Sequence, residues 1–165
     1  MNYSAIKPCD IANGPGVRVS LFVSGCTRHC PGCFNSGTWP FDAGKPFTAE
    51  TEENILSLLR RDYVGGLSVL GGEPFEPSNR AALIPFLERV KREFPRKDIW
   101  CWTGFRLEEL SDSEPRRMLD CLDVLVDGPF LEAERDISLQ WRGSANQRIH
   151  RLADVREAGR TSPRR

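Results

Sequence analysis

The sequence predicts an α/β fold, a single domain on a mainly parallel sheet with helices in the crossovers. Three observations predict it. Apolar runs with a period of two alternate along the chain with amphipathic stretches of helical spacing. Those runs lead into glycine-bearing turns, Ser24-Gly25-Cys26, Gly71-Gly72-Glu73-Pro74, Thr103-Gly104-Phe105 and Asp127-Gly128-Pro129. The chain, at 165 residues, is long enough to bury a proper core and short enough to do so as one domain.

In chain order, Val17, Val19, Leu21 and Val23 alternate with Arg18, Ser20, Phe22 and Ser24 and read as a strand. A loop rich in Gly, Pro and aromatic residues follows, to about Phe47. Thr48 suits a helix N-cap, with Glu50, Glu52 and Glu53 in the first turn where carboxylates favour the helix dipole. Ile55, Leu58 and Leu59 mark the buried face of that helix. Leu67-Ser-Val-Leu70 is a short buried strand. Leu83, Leu87, Val90 and Phe94 give a second amphipathic helix that starts near Pro85 or kinks there, and Pro95 stops it.

Ile99-Trp-Cys-Trp102 is strand-like, and its two tryptophans are expected to divide between the core and a cavity. Ser113 could cap a short helix carrying Pro115 in its first turn. Val124-Leu-Val126 is a further strand, and one more short element starts near Arg148. The domain is expected to span residues 1–150. Residues 151–165, with few apolar anchors and a basic end, read as a disordered tail.

Charge and cysteine content narrow the function. Lys+Arg and Asp+Glu balance at 23 each, which argues against nucleic acid or an anionic membrane as partner. No apolar run approaches transmembrane length, and Met1-Asn-Tyr-Ser lacks the charged-then-apolar opening of a signal peptide, so the cytoplasm is expected. Six cysteines without a secretory signal read as metal or redox chemistry rather than disulfides. Cys101 and Cys121 lie in apolar patterns and read as core thiols. Cys9 stays open between core, surface and a redox-sensitive thiol.

The chemistry concentrates in Cys26-Thr-Arg-His-Cys30-Pro-Gly-Cys33, just past the first strand. Its spacing would fit one helix face, but Pro31 has no N–H and would clash with the carbonyl of Thr27, so the thiols project from a loop. Three thiolates suit an iron–sulfur cluster better than a structural zinc site, which takes four protein ligands. A zinc site completed by His29, Cys9 or another thiol is the competing reading. All four turns fall at carboxyl ends of predicted strands, the edge where parallel α/β folds build their sites. Gly-Gly-Glu-Pro alone is a weak signal; its position one strand–helix unit after the cysteines gives it weight.

The C-x3-C-x2-C loop followed by a strand-terminal Gly-Gly-Glu-Pro resembles the radical S-adenosylmethionine (SAM) superfamily. Asn13-Gly-Pro-Gly-Val-Arg18 resembles its glycyl-radical-enzyme activases. Cys33-Phe-Asn35 with Thr38-Trp39, Trp102-Thr-Gly104, Val126-Asp-Gly-Pro-Phe130 and Trp141-Arg-Gly-Ser-Ala-Asn-Gln-Arg148 resemble the branch that activates anaerobic (class III) ribonucleoside-triphosphate reductase. The match runs from Met1 to about His150.

That resemblance implies a partial (βα) barrel of the radical SAM type. It implies that Cys26, Cys30 and Cys33 hold a [4Fe-4S] cluster whose open iron is chelated by the methionyl group of SAM. Reductive cleavage would then give a 5′-deoxyadenosyl radical that installs a glycyl radical on the large catalytic subunit of the reductase, with no side chain acting as acid or base. Gly32, Cys33 and Phe34 would border the adenine, and Gly72 and Glu73 the methionyl amine. The electron would come from a donor such as flavodoxin or ferredoxin. The alternatives are an activase of another glycyl radical enzyme such as pyruvate formate-lyase, a radical SAM enzyme acting on a small molecule, or a non-catalytic metal-binding module.

Overall fold

The first predicted strand forms as Val17–Val23 and becomes the second strand, β2, of the fold, because Asn2–Asp10 precedes it as β1. The remaining strands are β3 (Lys45–Pro46), β4 (Val64–Gly71), β5 (Asp98–Trp102), β6 (Val124–Asp127) and β7 (Arg148–Arg151). The helices are α1 (Ala49–Leu59), α2 (Pro77–Glu93), α3 (Ser113–Asp120) and α4 (Leu152–Thr161). The structure, a computed structural model, describes residues 1–161. One sheet holds all seven strands in the order β3-β1-β2-β4-β5-β6-β7. Its middle, β2-β4-β5-β6, is parallel. The flanking strands β1, β3 and β7 are antiparallel, so the sheet is mixed.

β1 escapes the sequence because it has no strict period: its pairing with β2 shifts register twice, it carries Pro8, and its residues are half-buried or exposed up to Asp10. α1 begins as expected. Thr48 Oγ1 accepts from the Thr51 amide at 3.3 Å, and Thr51 Oγ1 accepts from the Thr48 amide at 3.3 Å. α2 starts at Pro77, whose fixed φ suits the first helical position, and continues through Pro85. Pro85 is exposed, so water can satisfy the carbonyl it leaves without a donor. α3 is capped at Asp112 rather than Ser113.

α1, α2 and α3 all pack on one face of the sheet. Ile55, Leu59, Leu83, Leu87 and Met118 meet Val19, Leu21, Leu67, Val69, Ile99 and Leu125 there. Cys101 and Cys121 join this core, as expected. Burial pushes the Cys121 thiol up to about 11 and holds Cys101 well above its usual value.

Trp100 and Trp102 lie on one face of the sheet and divide there between core and cavity, Trp100 buried and Trp102 reaching the cavity described below. Residues two apart on a strand point the same way, and the two rings stack at 5.8 Å on the face opposite the helices. Arg18 is buried on that face as well. It donates to Asp98 Oδ1 at 2.7 Å, Ser68 Oγ at 2.7 Å and the Leu67 carbonyl at 2.9 Å.

Within the stretch read as a tail, residues 151–161 carry secondary structure. Arg151 closes β7 and residues 152–161 form α4. Leu152 is buried in the helix-side core, and its amide donates to the Asp123 carbonyl at 2.9 Å. Arg156 donates to the carbonyls of Leu119 at 2.9 Å and Leu122 at 3.0 Å, supplying donors where α3 ends. One apolar anchor and one arginine are enough to dock the segment, a weak pattern in sequence. Residues 162–165 lie outside the described residues. Among the described residues no helix is long and apolar enough to cross a membrane.

Candidate functional site

All four glycine-bearing turns come together. Cys26, Gly72, Glu73, Thr103, Gly104 and Gly128 border one cavity of about 470 Å³ at the carboxyl ends of the parallel strands. Phe22, Leu70 and Trp102, from β2, β4 and β5, also line it.

Cys26, Cys30 and Cys33 all line this cavity, with Cys26 buried and the other two half-buried. Their loop is held by side chains that no motif singled out. Glu76 accepts from both the amide and the hydroxyl of Thr27, at 2.8 and 2.6 Å. Asn79 Nδ2 donates to the carbonyls of Ser24 at 3.0 Å and Glu73 at 2.9 Å, tying the ends of β2 and β4 together. The Cys26 amide donates to the Trp39 carbonyl at 3.0 Å.

Burial raises the Cys26 thiol pKa, while the backbone amides of Arg28 and His29 point at the sulfur and oppose the shift. The Asn35 amide likewise reaches Cys33 Sγ at 3.4 Å. Amides aimed at sulfur stabilise thiolates and fit cluster ligands. The proposed zinc completions are engaged elsewhere. His29 stacks on Trp39 at 4.6 Å, and Cys9 lies beside Tyr63 Oη at 3.9 Å near the amino end of β4. Among the described residues no three His, Cys, Asp or Glu groups gather closely enough for a single ion. Thiolates spaced around a cavity suit a cluster whose ligands sit on separate irons.

Glu73 is buried and its carboxylate is held by the chain through three hydrogen bonds. Oε1 accepts from the Phe75 amide at 2.9 Å and the Thr103 hydroxyl at 2.7 Å; Oε2 accepts from the Gly104 amide at 2.7 Å. Burial pushes this carboxyl up to about 7, against those three donors and the nearby Arg28 charge. It therefore straps the β4 turn to the β5 turn while facing the cavity.

Gly72 also answers to the protein. A Cβ there would stand 2.6 Å from the Gly25 carbonyl oxygen, next to the cysteine loop. Gly32 has φ +69 and makes the turn between Cys30 and Cys33; a Cβ there would meet Glu132 at 2.8 Å rather than the cavity. Phe34 lines the cavity with an exposed ring, packed edge-on against Phe130 at 5.2 Å.

Asp127 is no simple turn former. It is wholly buried and accepts from the Leu107 amide at 2.7 Å and Arg148 Nε at 3.0 Å. Burial pushes its carboxyl up, but Arg148, the Leu107 amide and His150 outweigh that and hold it below the usual carboxylate range. It fixes β7 against β6. A further part of the wall is the loop from Trp141 to Gln147. Gln147 Oε1 accepts from the Gly143 amide at 2.8 Å and its Nε2 donates to the Gly128 carbonyl at 3.0 Å.

The sequence matches the 4Fe-4S single cluster domain family over residues 12–150. Among curated proteins, the anaerobic ribonucleoside-triphosphate reductase-activating protein of Haemophilus influenzae is 50% identical over 154 residues, covering 92% of this chain and 99% of that protein. The protein of the same name from Escherichia coli K12 is 45% identical over the same proportions. That of Enterobacteria phage T4 is 44% identical over 149 residues, 90% of this chain and 93% of its own.

The chain belongs to the family of anaerobic ribonucleoside-triphosphate reductase-activating proteins.

Membership gives the cavity its context, since the cysteine loop and all four turns lie inside the 4Fe-4S domain match. Two kinds of site residue were not assigned from sequence. Glu76 and Asn79 carry no motif and act from the start of α2. Trp141, Arg142 and Gln147 did carry one, the Trp-Arg-Gly-Ser-Ala-Asn-Gln-Arg stretch, but only the fold shows that it walls the cavity.

Proposed function

We propose that this chain is a SAM-dependent radical activase that installs a glycyl radical on the catalytic subunit of anaerobic ribonucleoside-triphosphate reductase. One observation carries the reading: the three thiols of the C-x3-C-x2-C loop and the Gly72-Glu73 turn border the same cavity, in a chain whose relatives bear the activating-protein name. The same relatives favour this partner over pyruvate formate-lyase or a small-molecule substrate. The parallel unit β2-β4-β5-β6, with its cavity at the carboxyl ends, is what a partial (βα) barrel of the radical SAM type would present.

In this reading Cys26, Cys30 and Cys33 hold a [4Fe-4S] cluster, and Gly72, Glu73, Cys33 and Phe34 surround SAM, with Gly32 making the turn that sets Cys33 and Phe34 in place. When bound there, cluster and SAM would supply the one-electron and radical chemistry aimed at a glycine Cα, with the electron coming from an external donor. The chain's own work is to bind, orient and protect. Amides on the cysteine sulfurs favour the thiolate state. The Glu73 strap and the Asn79 bracket hold the cofactor-facing turns at fixed separation. Phe22, Leu70 and Trp102 give the cavity an apolar floor that keeps water away from a radical. A cytoplasmic one-electron donor such as flavodoxin or ferredoxin completes the scheme.

The test is isotopic. Reduced protein, SAM and a reductase subunit deuterated at glycine Cα should yield an organic radical on that subunit and deuterium in 5′-deoxyadenosine. Radical formation without deuterium transfer would mean that another atom is attacked; no radical at all would remove the reductase as substrate.

A further inference from the structure

We propose that Arg142 is the carboxylate-recognition residue of the cavity, and that the group it takes is the methionyl carboxylate of SAM. This rests on the SAM reading given above and adds a residue to it. Arg142 lines the cavity together with the cysteine loop and the Gly72-Glu73 turn. Its Nη1 donates to the Gln147 carbonyl at 2.9 Å, which fixes the plane of the guanidinium. Its Nε is buried and has no partner. A buried donor without a partner is costly unless something arrives to satisfy it. Nε and Nη2 form the edge of the fork that takes a carboxylate through two parallel bonds.

The backbone points the same way. Trp141, the residue before it, has φ +59, a left-handed conformation that bulky residues rarely adopt. The surroundings hold it there: Trp102 Nε1 donates to the Trp141 carbonyl at 2.8 Å, and the Trp141 ring packs edge-on against Trp100 at 4.9 Å. Gln147 clamps the next turn through the Gly143 and Ser144 amides, at 2.8 and 3.3 Å. Strain kept in place by several independent contacts marks a position whose side chain must be displayed.

The other cations of the lining are committed. Arg28 also has an unpartnered Nε, but its guanidinium lies 4.8 Å over the Phe105 ring and its charge offsets the buried Glu73. Lys7 is exposed, with its ammonium 5.0 Å over the Phe22 ring. Asp136, the acidic residue of the same wall, is taken by the Ser138 amide and hydroxyl at 2.8 and 2.6 Å. Arg142 is thus the cation left for an incoming anion.

The experiment compares SAM with decarboxylated SAM, which keeps the adenosyl and sulfonium groups and lacks only the carboxylate. Anaerobically reconstituted wild-type, Arg142→Gln and Arg142→Lys proteins, matched for iron and sulfide content, are titrated by calorimetry and by the paramagnetic resonance of the reduced cluster. Arg142→Gln should weaken SAM binding by about 10- to 100-fold, the scale of a lost charge-assisted pair, and leave the affinity for decarboxylated SAM as in wild type. Arg142→Lys, which keeps the charge and loses the fork, should fall between. Equal SAM affinity in wild type and Arg142→Gln would overturn the inference alone, as would an equal loss for both ligands, which would make Arg142 a structural residue. A wild-type protein that holds its cluster and binds neither ligand would overturn the SAM reading itself.

Discussion

On the helix-covered face of the sheet, Val19, Leu21, Leu67, Val69, Ile99 and Leu125 meet only other apolar side chains and are buried. On the cavity face, the alternate residues of the same strands are Arg18, Ser20, Phe22, Ser68, Leu70, Trp100, Trp102, Val124 and Val126, polar and apolar side chains mixed. Both faces exclude water over most of their area, yet one is sealed by helices and the other by side-chain networks and loops. The helix face can be built from any apolar residues of the right volume. The cavity face needs particular donors and acceptors, because a buried polar group there is costly unless something pairs it. The chain pairs most of them but not Arg142 Nε or Ser20 Oγ. Arg18 finds Asp98 and Ser68; Glu73 finds Phe75, Thr103 and Gly104. Stability and chemistry are thereby divided across one layer of backbone, and substitutions on the two faces should fail in different ways.

The largest effect is expected in the cysteine loop. Cys26→Ala, Cys30→Ala and Cys33→Ala should each abolish cluster assembly and SAM cleavage, while Cys101→Ala and Cys121→Ala, on the helix face, keep both. Iron and sulfide counts with the yield of 5′-deoxyadenosine check this; full cleavage by any loop variant would break the division between faces.

On the helix face, Leu87→Ala should cost about 2–5 kcal/mol in denaturant unfolding, through lost burial and a residual cavity. SAM cleavage per assembled cluster should stay as in wild type. A loss of turnover in protein that remains folded would show that the helix face contributes to the chemistry.

Glu73 sharpens the comparison through pH. Its folded carboxyl, at about 7, lies above the usual 4.5, so the fold disfavours the ionised form. Its contribution to stability is therefore fully present below pH 4.5 and is lost as pH rises through about 7, about 3 kcal/mol across that window. Urea unfolding of the metal-free protein at pH 4.5 to 8 should show this fall for wild type, and Glu73→Gln should flatten it. An unchanged slope in the variant would place the ionisation elsewhere. The smallest effect belongs to the cap of α1, where Thr48→Ala should cost about 1 kcal/mol and leave the cluster untouched. A loss of iron in that variant would show that α1 supports the cavity face as well.

Gly72 shows why single-residue readings from sequence can mislead. The resemblance puts it at the methionyl amine and it does line the cavity, but the contact that forbids a side chain is the Gly25 carbonyl at 2.6 Å. A bulky residue at 72 would therefore disturb the cysteine loop along with any cofactor contact, so it cannot isolate SAM binding. Asp127 carries the same lesson: placed before Gly128 it reads as a turn residue, yet the fold makes it the buried anchor of Arg148. The order of strands and helices in the middle of the chain was legible because β2, β4, β5, β6 and α1 to α3 each have a clean period or cap. β1, with its bulges, and α4, with its single anchor, did not.

By itself the sequence determined the local chemistry: which thiols stand together in one loop, where strands end in glycine, and which helix begins at Thr48. These are short-range properties, set by spacing, capping and backbone freedom within a few residues. Only the tertiary structure decided which face each strand residue serves, that Glu73 is bound by the chain, and that Arg142 enters the same cavity as Cys26. Those facts depend on partners 30 to more than 100 positions away in the chain, such as Thr103 for Glu73 and Cys26, which shares its cavity with Arg142. No period or motif encodes such a pairing, because it exists only once the parallel strands have brought their carboxyl ends together.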